Sequence, residues 1–508
     1  MEVVSDWSKL SEELVSEPDN FQKWEQLIQL AERGSSSSSS ISNWRKEKNI
    51  NKLFSEGDLE IMRLTYGSLL SRFPLLHQYW LNFAEWEFRL GNTVRANDIY
   101  LEAISQLPYS IEVWTSYVRF KVVTTVDNLE DVIRTFEKGR ECIGLHFYAH
   151  EFYELYLSFL REHSSSDKDM AQKYYVLLRI VIEIPMYHFG KFFNQFINII
   201  EKSDEVAQFI PRRERHDLKL VGSGKNVTSK LKKIFTDSYI TTQHKVYQLY
   251  QYEKNINRPY FHVTYLSESE LTNWDQYLDF LEINHFPLEL IKLTYERCLV
   301  ATALYPKFWI RYANYFIANG KKIENAKQIL VRGISCVQQT DYLLKLKLCD
   351  LEIFQGQFIK ARDIVLTNLR LQPTSIPHMT KLVQIERLMN PGDDEYLLQL
   401  IEKLTLLDGG DLLIREVLLY DIDLSSSDKV VNFFKRLQDN FASSFNYWDT
   451  YMEYNTLAKC EDADKILDQA KRALDDSLGE RFLKKWSKKG TKEVEFSRIY
   501  EESLQAFE

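Results

Sequence analysis

The feature of this sequence that most constrains its fold is a pattern that recurs about every 35 residues. Each copy begins with an aromatic residue, has an aromatic residue or leucine three positions later, and often has a glutamate four positions after that. The clearest copy contains Trp80, Phe83 and Glu87, and Trp114 opens the next copy 34 residues later. A period near 35 residues is the length of one helix–turn–helix unit in repeat proteins. The sequence therefore predicts an all-α chain of stacked helix pairs.

The residue types within each copy indicate how the two helices of a pair pack. The i, i+3 and i+7 positions of the first helix lie on one face, which forms a mainly apolar stripe directed at the partner helix. Small residues such as Ala96 and Ala103 let the second helix approach closely, and prolines such as Pro108 end it. We expect the aromatic anchors to be buried in the core. They are Trp80, Phe83, Tyr100, Trp114, Tyr117, Trp274, Tyr277, Tyr295, Trp309 and Tyr312.

The copies fall into two arrays, because the period breaks between Phe189 and Trp274, which are 85 residues apart. We predict a right-handed α-solenoid of about 11–12 repeats in those two arrays. The predicted divisions are an N-terminal array at 1–202 with a serine-rich insertion at about 34–58, a basic linker or loop at 203–235, a C-terminal array at 236–475 and a charged tail or helix at 476–508.

The charge pattern limits where a polyanion could bind. The formal net charge is −9, and an acidic chain is a poor nonspecific binder of nucleic acid, since phosphate contacts need clustered Lys and Arg. Residues 211–233, within the predicted linker, are the exception, with eight basic and two acidic residues. Contact with an RNA backbone or another partner, a nuclear import signal and a solvated loop all fit this cluster. Its basic residues are Arg212, Arg213, Arg215, Lys219, Lys225, Lys230, Lys232 and Lys233.

Several classes of function lack a sequence signature. The five cysteines form no CxxC pair, which favours reduced thiols in an intracellular protein. The N-terminus lacks the pattern of a secretory signal, and no run of 18 apolar residues could span a membrane. No grouping of residues predicts a catalytic site, a metal site or a cofactor. We therefore expect a soluble protein that is not an enzyme and has no small-molecule substrate.

The first-helix pattern Trp-x2-Tyr/Phe-x3-Glu, followed by a second helix with small residues and Ile-Tyr, resembles the half-a-tetratricopeptide (HAT) repeat. Two further segments, RPYFHV at 258–263 and VIEIPMYHFGKFF at 181–193, resemble the pre-mRNA-processing factors of the 39/42 type. That family belongs to the U1 small nuclear ribonucleoprotein (U1 snRNP). The resemblance implies a nuclear, non-catalytic scaffold that acts in pre-mRNA splicing, in 5′ splice-site recognition and spliceosome commitment.

The resemblance also implies partners. It predicts contacts with U1 snRNP proteins, a local contact with U1 snRNA, and dimerisation through the C-terminal repeats. Whether the second chain is identical or a HAT-repeat paralogue stays open. The residues expected at that interface are Trp448, Tyr451, Tyr454 and an exposed Trp486.

Two other hypotheses remain open from the sequence. One is a HAT-repeat scaffold of another RNA-processing complex, such as 3′-end cleavage or ribosomal-RNA processing. The other is a peptide-binding adaptor of the tetratricopeptide type. That adaptor would need clustered Lys and Arg in a concave groove to hold a carboxylate, and the repeats do not carry basic residues in that way.

Overall fold

The structure of the chain is a computed structural model, which describes residues 2–33, 55–164, 168–202, 225–320, 322–337, 342–407, 411–415, 427–458 and 462–486. Within these ranges the regular elements are all α-helices, without a strand. The chain divides into two compact units, Met1–Leu304 and Tyr305–Glu508. Each unit is a stack of helix pairs, so the predicted all-α repeat architecture is confirmed.

The first unit contains thirteen helices within the described residues. They are α1 (Glu2–Ser16), α2 (Phe21–Arg33), α3 (Glu56–Arg72), α4 (His77–Arg89), α5 (Thr93–Gln106), α6 (Ile111–Thr124), α7 (Leu129–Ile143), α8 (His150–His163), α9 (Lys168–Val181), α10 (Phe189–Lys202), α11 (Lys225–Glu253), α12 (Glu268–Ile283) and α13 (Leu288–Ala301).

In the second unit, the bounded helices of the described part are α14 (Pro306–Ala318), α15 (Ile323–Cys336), α16 (Leu343–Phe354), α17 (Phe358–Leu371), α18 (Ile376–Met389), α19 (Asp394–Thr405), α20 (Ser427–Phe441), α21 (Phe445–Ala458) and α22 (Ala463–Ala473). Residues 411–415 and 476–486 are also helical.

The tryptophan that opens several copies fixes the turn in front of its own helix. Its indole N–H donates a hydrogen bond to the carbonyl oxygen six residues earlier, and this bond satisfies both a buried donor and a turn carbonyl. The bonds are Trp24 to Pro18 (2.9 Å), Trp80 to Pro74 (2.9 Å), Trp114 to Pro108 (2.8 Å) and Trp448 to Ala442 (2.7 Å). The first helices of neighbouring pairs also contact one another, as α4 does with α6 and α6 with α8.

The turn between the two helices of a pair needs a left-handed residue. Gly91 and Gly356 adopt φ values of 87° and 74° directly after α4 and α16. In both turns the backbone N–H of the residue after the glycine donates a hydrogen bond to the carbonyl oxygen five residues earlier, from Asn92 to Glu87 and from Gln357 to Glu352. This bond closes the end of the helix.

Two expected loops are shorter than the sequence suggested. Residues 225–235 belong to the 29-residue helix α11, so the prediction of a linker or loop is wrong for them. Leu231, Phe235 and Leu249 of α11 are buried, and their spacing of four and fourteen positions places them on one helical face. The serine-rich insertion also stops early. Ser55 caps α3 by accepting a hydrogen bond from the N–H of Asp58, and residues 34–54 lie outside the described residues.

The predicted C-terminal tail contributes to the core of the second unit. Phe482 and Trp486, from helical residues 476–486, are buried among Tyr447, Trp448 and Met452. Lys485 Nζ lies 2.5 and 2.6 Å from the two carboxylate oxygens of Asp449. The boundary predicted at 475 therefore cuts through this core, because two bulky apolar side chains beyond it are needed to cover the end of the stack.

Candidate interaction surfaces

The signature aromatic residues and glutamates of the repeat are internal. All ten aromatic anchors are buried. The glutamates pair with a cation from the second helix of a pair: Glu87 with Arg63 at 2.6 Å, Glu352 with Lys327 at 2.8 Å and Glu386 with Arg362 at 2.8 Å. These residues hold the stack together, so the contacts with partners must lie elsewhere.

Cations on the first helices are paired across neighbouring repeats. Lys191 of α10 lies 2.7 Å from Glu154 of α8, and Lys381 of α18 lies 2.9 Å from Asp350 of α16. Arg119 of α6 lies 3.3 Å from Glu151 of α8. These pairs neutralise positive charge along that face, which disfavours a carboxylate clamp of the tetratricopeptide type.

The distinctive segment RPYFHV, residues 258–263, runs across the N-terminal ends of first helices in the first array; we call it the strap. The ring of Tyr260 lies 5.7 Å from that of His77 at the start of α4. His262 lies 5.9 Å from Phe21 at the start of α2. These partners are 183 and 241 positions apart in the sequence. The strap thus ties the beginning of the second predicted array to the first one.

Polar bonds fix the conformation of the strap. The guanidinium of Arg258 donates to the hydroxyl of Thr264 at 2.8 Å and to its carbonyl oxygen at 2.7 Å. The backbone N–H of Arg258 donates to the carboxylate of Glu270 at 2.9 Å. Because Glu270 is on α12, the strap is anchored to the helix that follows it.

A buried ion pair lies beside the strap. Both terminal nitrogens of Arg297 donate to the carboxylate of Glu253, at 2.6 and 2.8 Å, and the hydroxyl of Tyr277 donates to the same carboxylate at 2.9 Å. Burial alone would lower the pKa of Arg297, but the charge and hydrogen bonds of Glu253 outweigh it and raise that pKa above its usual value. Burial first, and then the charge of Glu253, raise the pKa of Tyr277.

A cavity of about 170 Å³ lies where the strap meets the first array. It is lined by side chains from the start of α4, the turns before α6 and α8, the strap and α13, among them His77, Tyr109, Tyr148, Tyr260 and Arg297. His146 also lines the cavity and is only 6% exposed. Burial, followed by the positive charge of Arg297, lowers the pKa of His146 well below its usual value, so this imidazole is neutral.

The structure places the predicted basic cluster only in part. Arg212, Arg213, Arg215 and Lys219 lie outside the described residues, and for Lys225 only the helical backbone is described. The side chains of Lys230 and Lys233 are exposed on α11. Lys232 forms an ion pair with Glu201 at 2.5 Å. Two of the three described side chains are therefore exposed to solvent, and their role in partner binding stays a prediction.

The residues predicted at a dimer interface lie inside the second unit. Trp448, Tyr451 and Tyr454 are buried in its core. The expectation that Trp486 is exposed is wrong: its side chain is 7% exposed and its indole N–H donates to Asp449 at 3.2 Å. A dimer contact through this unit would need its exposed side chains.

Other kinds of site leave no trace in the described part of the chain. Its His, Cys, Asp and Glu side chains form no group of three or more that could hold a metal ion. None of the helices described is both long enough and apolar enough to cross a membrane.

Sequence reasoning missed the contacts that shape the first unit. The sequence of the strap indicated a family resemblance, but it does not predict that the strap contacts Phe21 and His77. Arg297 had a usable signal, because it interrupts the apolar run LTYERCLVA within a helix. A charged residue in such a run predicts a buried partner, yet the sequence does not identify Glu253 as that partner.

Comparison with known protein families gives two matches that follow one another along the chain. Residues 8–198 match the family described as PRP39 N-terminal HAT repeat. Residues 247–388 match the family described as PRP39 C-terminal HAT repeat. The second match begins within α11 and contains the strap.

Three relatives have names that concern RNA processing. Pre-mRNA-processing factor 39 of Schizosaccharomyces pombe is 28% identical over 415 residues, covering 77% of this chain and 64% of the relative. The U1 small nuclear ribonucleoprotein component PRP42 of Saccharomyces cerevisiae is 30% identical over 306 residues, covering 57% and 55%. Pre-mRNA-processing factor 39 of Homo sapiens is 24% identical over 394 residues, covering 71% and 55%. The chain thus covers less than two thirds of the length of each relative.

Proposed function

Because this chain belongs to the PRP39 family of HAT-repeat proteins, we propose that it acts in pre-mRNA splicing as a non-catalytic scaffold of the U1 snRNP. The observation that carries the proposal is the pair of family matches, at residues 8–198 and 247–388. The Saccharomyces cerevisiae relative PRP42 is named as a U1 snRNP component, which supports the assignment to this particle. A scaffold of this kind works in the nucleus.

Within the particle, the proposed role is to brace the proteins that recognise the 5′ splice site and so help commit the spliceosome. A stack of helix pairs suits that role, since it presents long surfaces whose shape is set by many buried contacts. RNA contact is expected to be local. The exposed Lys230 and Lys233 of α11 offer a small positive surface on an acidic chain.

The test is to tag the protein at its own locus, purify it gently and sequence the RNA that accompanies it. Enrichment of U1 RNA over the other spliceosomal RNAs supports the proposal. A preparation enriched in other RNAs, or without RNA, would remove the U1 assignment. If Lys230 and Lys233 contact the RNA directly, a variant with Lys230→Glu and Lys233→Glu should recover less U1 RNA. Lys484→Glu, at another exposed lysine, is the control.

We further propose that the second unit pairs with a second HAT-repeat chain, either an identical copy or a paralogue. Its aromatic core is already filled, so the contact would use exposed apolar side chains. Leu406 and Leu407, directly after α19, are 59% and 42% exposed, and Leu412, in residues 411–415, is 46% exposed. Exposed leucines this close together in the sequence are typical of a surface that is covered in an assembly.

Light scattering on the full chain tests the pairing. If the chain is a homodimer, combining Leu406→Glu and Leu412→Glu should lower the measured molar mass from that of two chains to that of one chain. Leu101→Glu, at a 49% exposed leucine of α5 in the first unit, should leave the mass unchanged. If the purified chain alone is a monomer, co-purification with a paralogue is measured instead. A double variant that still dimerises, or that still co-purifies with the paralogue, would contradict the proposed surface.

A further inference from the structure

Two side chains that line the cavity between the strap and the first array carry a hydrogen-bond donor without a partner among the described residues. Nδ1 of His146 accepts from the backbone N–H of Tyr148 at 3.0 Å, so in the neutral ring Nε2 carries the proton. Among the described residues, that Nε2–H has no hydrogen-bond partner. That donor can therefore pair with an acceptor bound in the cavity.

A second such donor lines the same cavity. Arg297 is 7% exposed, and its two terminal nitrogens are both used by Glu253. Its Nε–H has no hydrogen-bond partner in the described part of the chain. His146 and Arg297 come from the turn before α8 and from α13, so two separate elements bring donors to one cavity of about 170 Å³.

The rest of the lining is aromatic and apolar. Tyr109, Tyr148 and Tyr260 contribute three phenol rings, and Leu107, Pro259 and Val300 contribute apolar surface. Tyr260 is 42% exposed, so the cavity is open to a ligand on the side of the strap. Tyrosine rings with hydroxyl donors suit ligands that combine flat apolar surface with carbonyl acceptors.

The charge of the site disfavours a polyanion. The positive charge of Arg297 is matched by Glu253, and Glu112 adds an exposed carboxylate at the edge of the cavity. Glu112 accepts a hydrogen bond from the hydroxyl of Ser110 at 2.8 Å, and no cation in the described residues pairs with it. A phosphate backbone would therefore meet one compensated cation and one uncompensated carboxylate.

We propose that this cavity binds an extended, proline-containing segment of a protein partner. Such a segment adopts the polyproline II conformation, in which the backbone makes no internal hydrogen bonds and its carbonyl oxygens are free to accept. A proline ring packs against the tyrosines, while carbonyl oxygens accept from Nε2–H of His146 and Nε–H of Arg297. Aromatic-lined grooves with a few donors are the general mode by which proline-rich peptides are recognised.

This inference goes beyond the proposed function and does not depend on it, because the purified chain is sufficient for the test. The probe is a fluorescein-labelled peptide of about ten prolines, whose anisotropy is followed during titration with the full chain. Saturable binding is expected. A glycine–serine peptide of the same length and a uridine RNA of similar length are titrated in parallel.

Two cavity variants and one control identify the site. Tyr260→Ala removes a ring of the strap, and Val300→Phe fills the cavity from α13 without changing the strap. Each should weaken proline-peptide binding by about tenfold or more, equivalent to about 1.4 kcal/mol. Tyr247→Ala, at a 66% exposed tyrosine that does not line the cavity, should bind like the unchanged chain. Thermal melting followed by circular dichroism shows whether each variant is folded. If Tyr260→Ala is unfolded, the Val300→Phe variant alone tests the site.

Three outcomes would overturn the proposal. The first is proline-peptide binding that does not saturate. The second is binding that persists in a folded Val300→Phe variant. The third is tighter binding of the RNA than of the peptide with the same dependence on Val300, which would make the cavity a site for stacked bases.

Discussion

At the scale of single residues, the most consequential group in the first unit is the buried set Glu253, Arg297 and Tyr277. The carboxylate of Glu253 is fully buried and accepts three hydrogen bonds from the other two side chains. Taking two charges out of water costs several kcal/mol, which their attraction repays only when the geometry is good. The pair therefore favours the native arrangement chiefly by penalising any structure that separates its members.

Replacing Glu253 with glutamine should destabilise the first unit by about 3–5 kcal/mol, because the charge of Arg297 would remain buried without compensation. The measurement is urea unfolding followed by circular dichroism. Glu154→Gln is the matched control: it breaks the more exposed pair with Lys191, and such pairs contribute about 1 kcal/mol or less. Equal losses in the two variants would show that burial of the pair does not matter.

At the scale of elements, the strap and residues 476–486 do similar work. Each is a short segment that covers helices distant in sequence, the strap over the starts of α2 and α4 and residues 476–486 over α21. The strap uses ring contacts of 5.7 and 5.9 Å. The C-terminal segment uses Phe482 and Trp486, which complete the core of the second unit. A repeat stack needs such covers because its terminal helices otherwise expose an apolar face.

Trp486→Ala should therefore destabilise the second unit by about 3–5 kcal/mol, the usual cost of truncating a buried aromatic side chain. Differential scanning calorimetry on the full chain should show a lower melting temperature for the transition of that unit. Lys484→Ala changes an exposed neighbour and should leave the transition within about 0.5 kcal/mol of its original stability. An unaltered transition in Trp486→Ala would mean that residues 476–486 do not cover the core in solution.

At the scale of the whole molecule, the histidines make stability depend on pH. Burial lowers the pKa of His77, His146 and His150 in the first unit and of His378 in the second. The unfolded chain takes up protons at these residues near pH 6.5, whereas the folded chain resists until a lower pH. Stability is therefore fully present above about pH 6.5 and decreases as the pH falls from there through the folded pKa values.

The free energy of unfolding of the full chain should fall between pH 7.5 and pH 5.5, by up to about 1.4 kcal/mol per pH unit for each strongly shifted histidine. Urea titrations at a series of pH values measure it. His146→Gln keeps an acceptor for the backbone N–H of Tyr148 and cannot titrate, so its first unit should show a shallower pH dependence. A stability that rises on acidification over this range would contradict the assignment of neutral buried histidines.

The sequence predicts those features of the structure that depend on residues close together in the chain, and it does not predict contacts between distant residues. The period near 35 residues and the aromatic spacing identified the helix pairs and the residues that they bury, since helical periodicity is a local property of the chain. The same local signal, applied more widely, would have extended α11 back to residue 225, because Leu231 and Phe235 recur at helical spacing. The basic residues and glycines of this segment were instead the basis for predicting a loop.

What only the tertiary structure decided is which distant segments meet. The sequence around Trp486 predicts an exposed aromatic residue among lysines, yet Trp486 is buried in the core that contains Tyr447 and Trp448 of α21. Tyr260 and His262 reach helices about 180 and 240 positions earlier, and the cavity with its two unpartnered donors exists only because of that contact. The sequence by itself determined the family, the helix pairs and their core. The strap, the cavity and the completed C-terminal core depend on long-range packing, whose free energy is gained only after the chain has closed those loops.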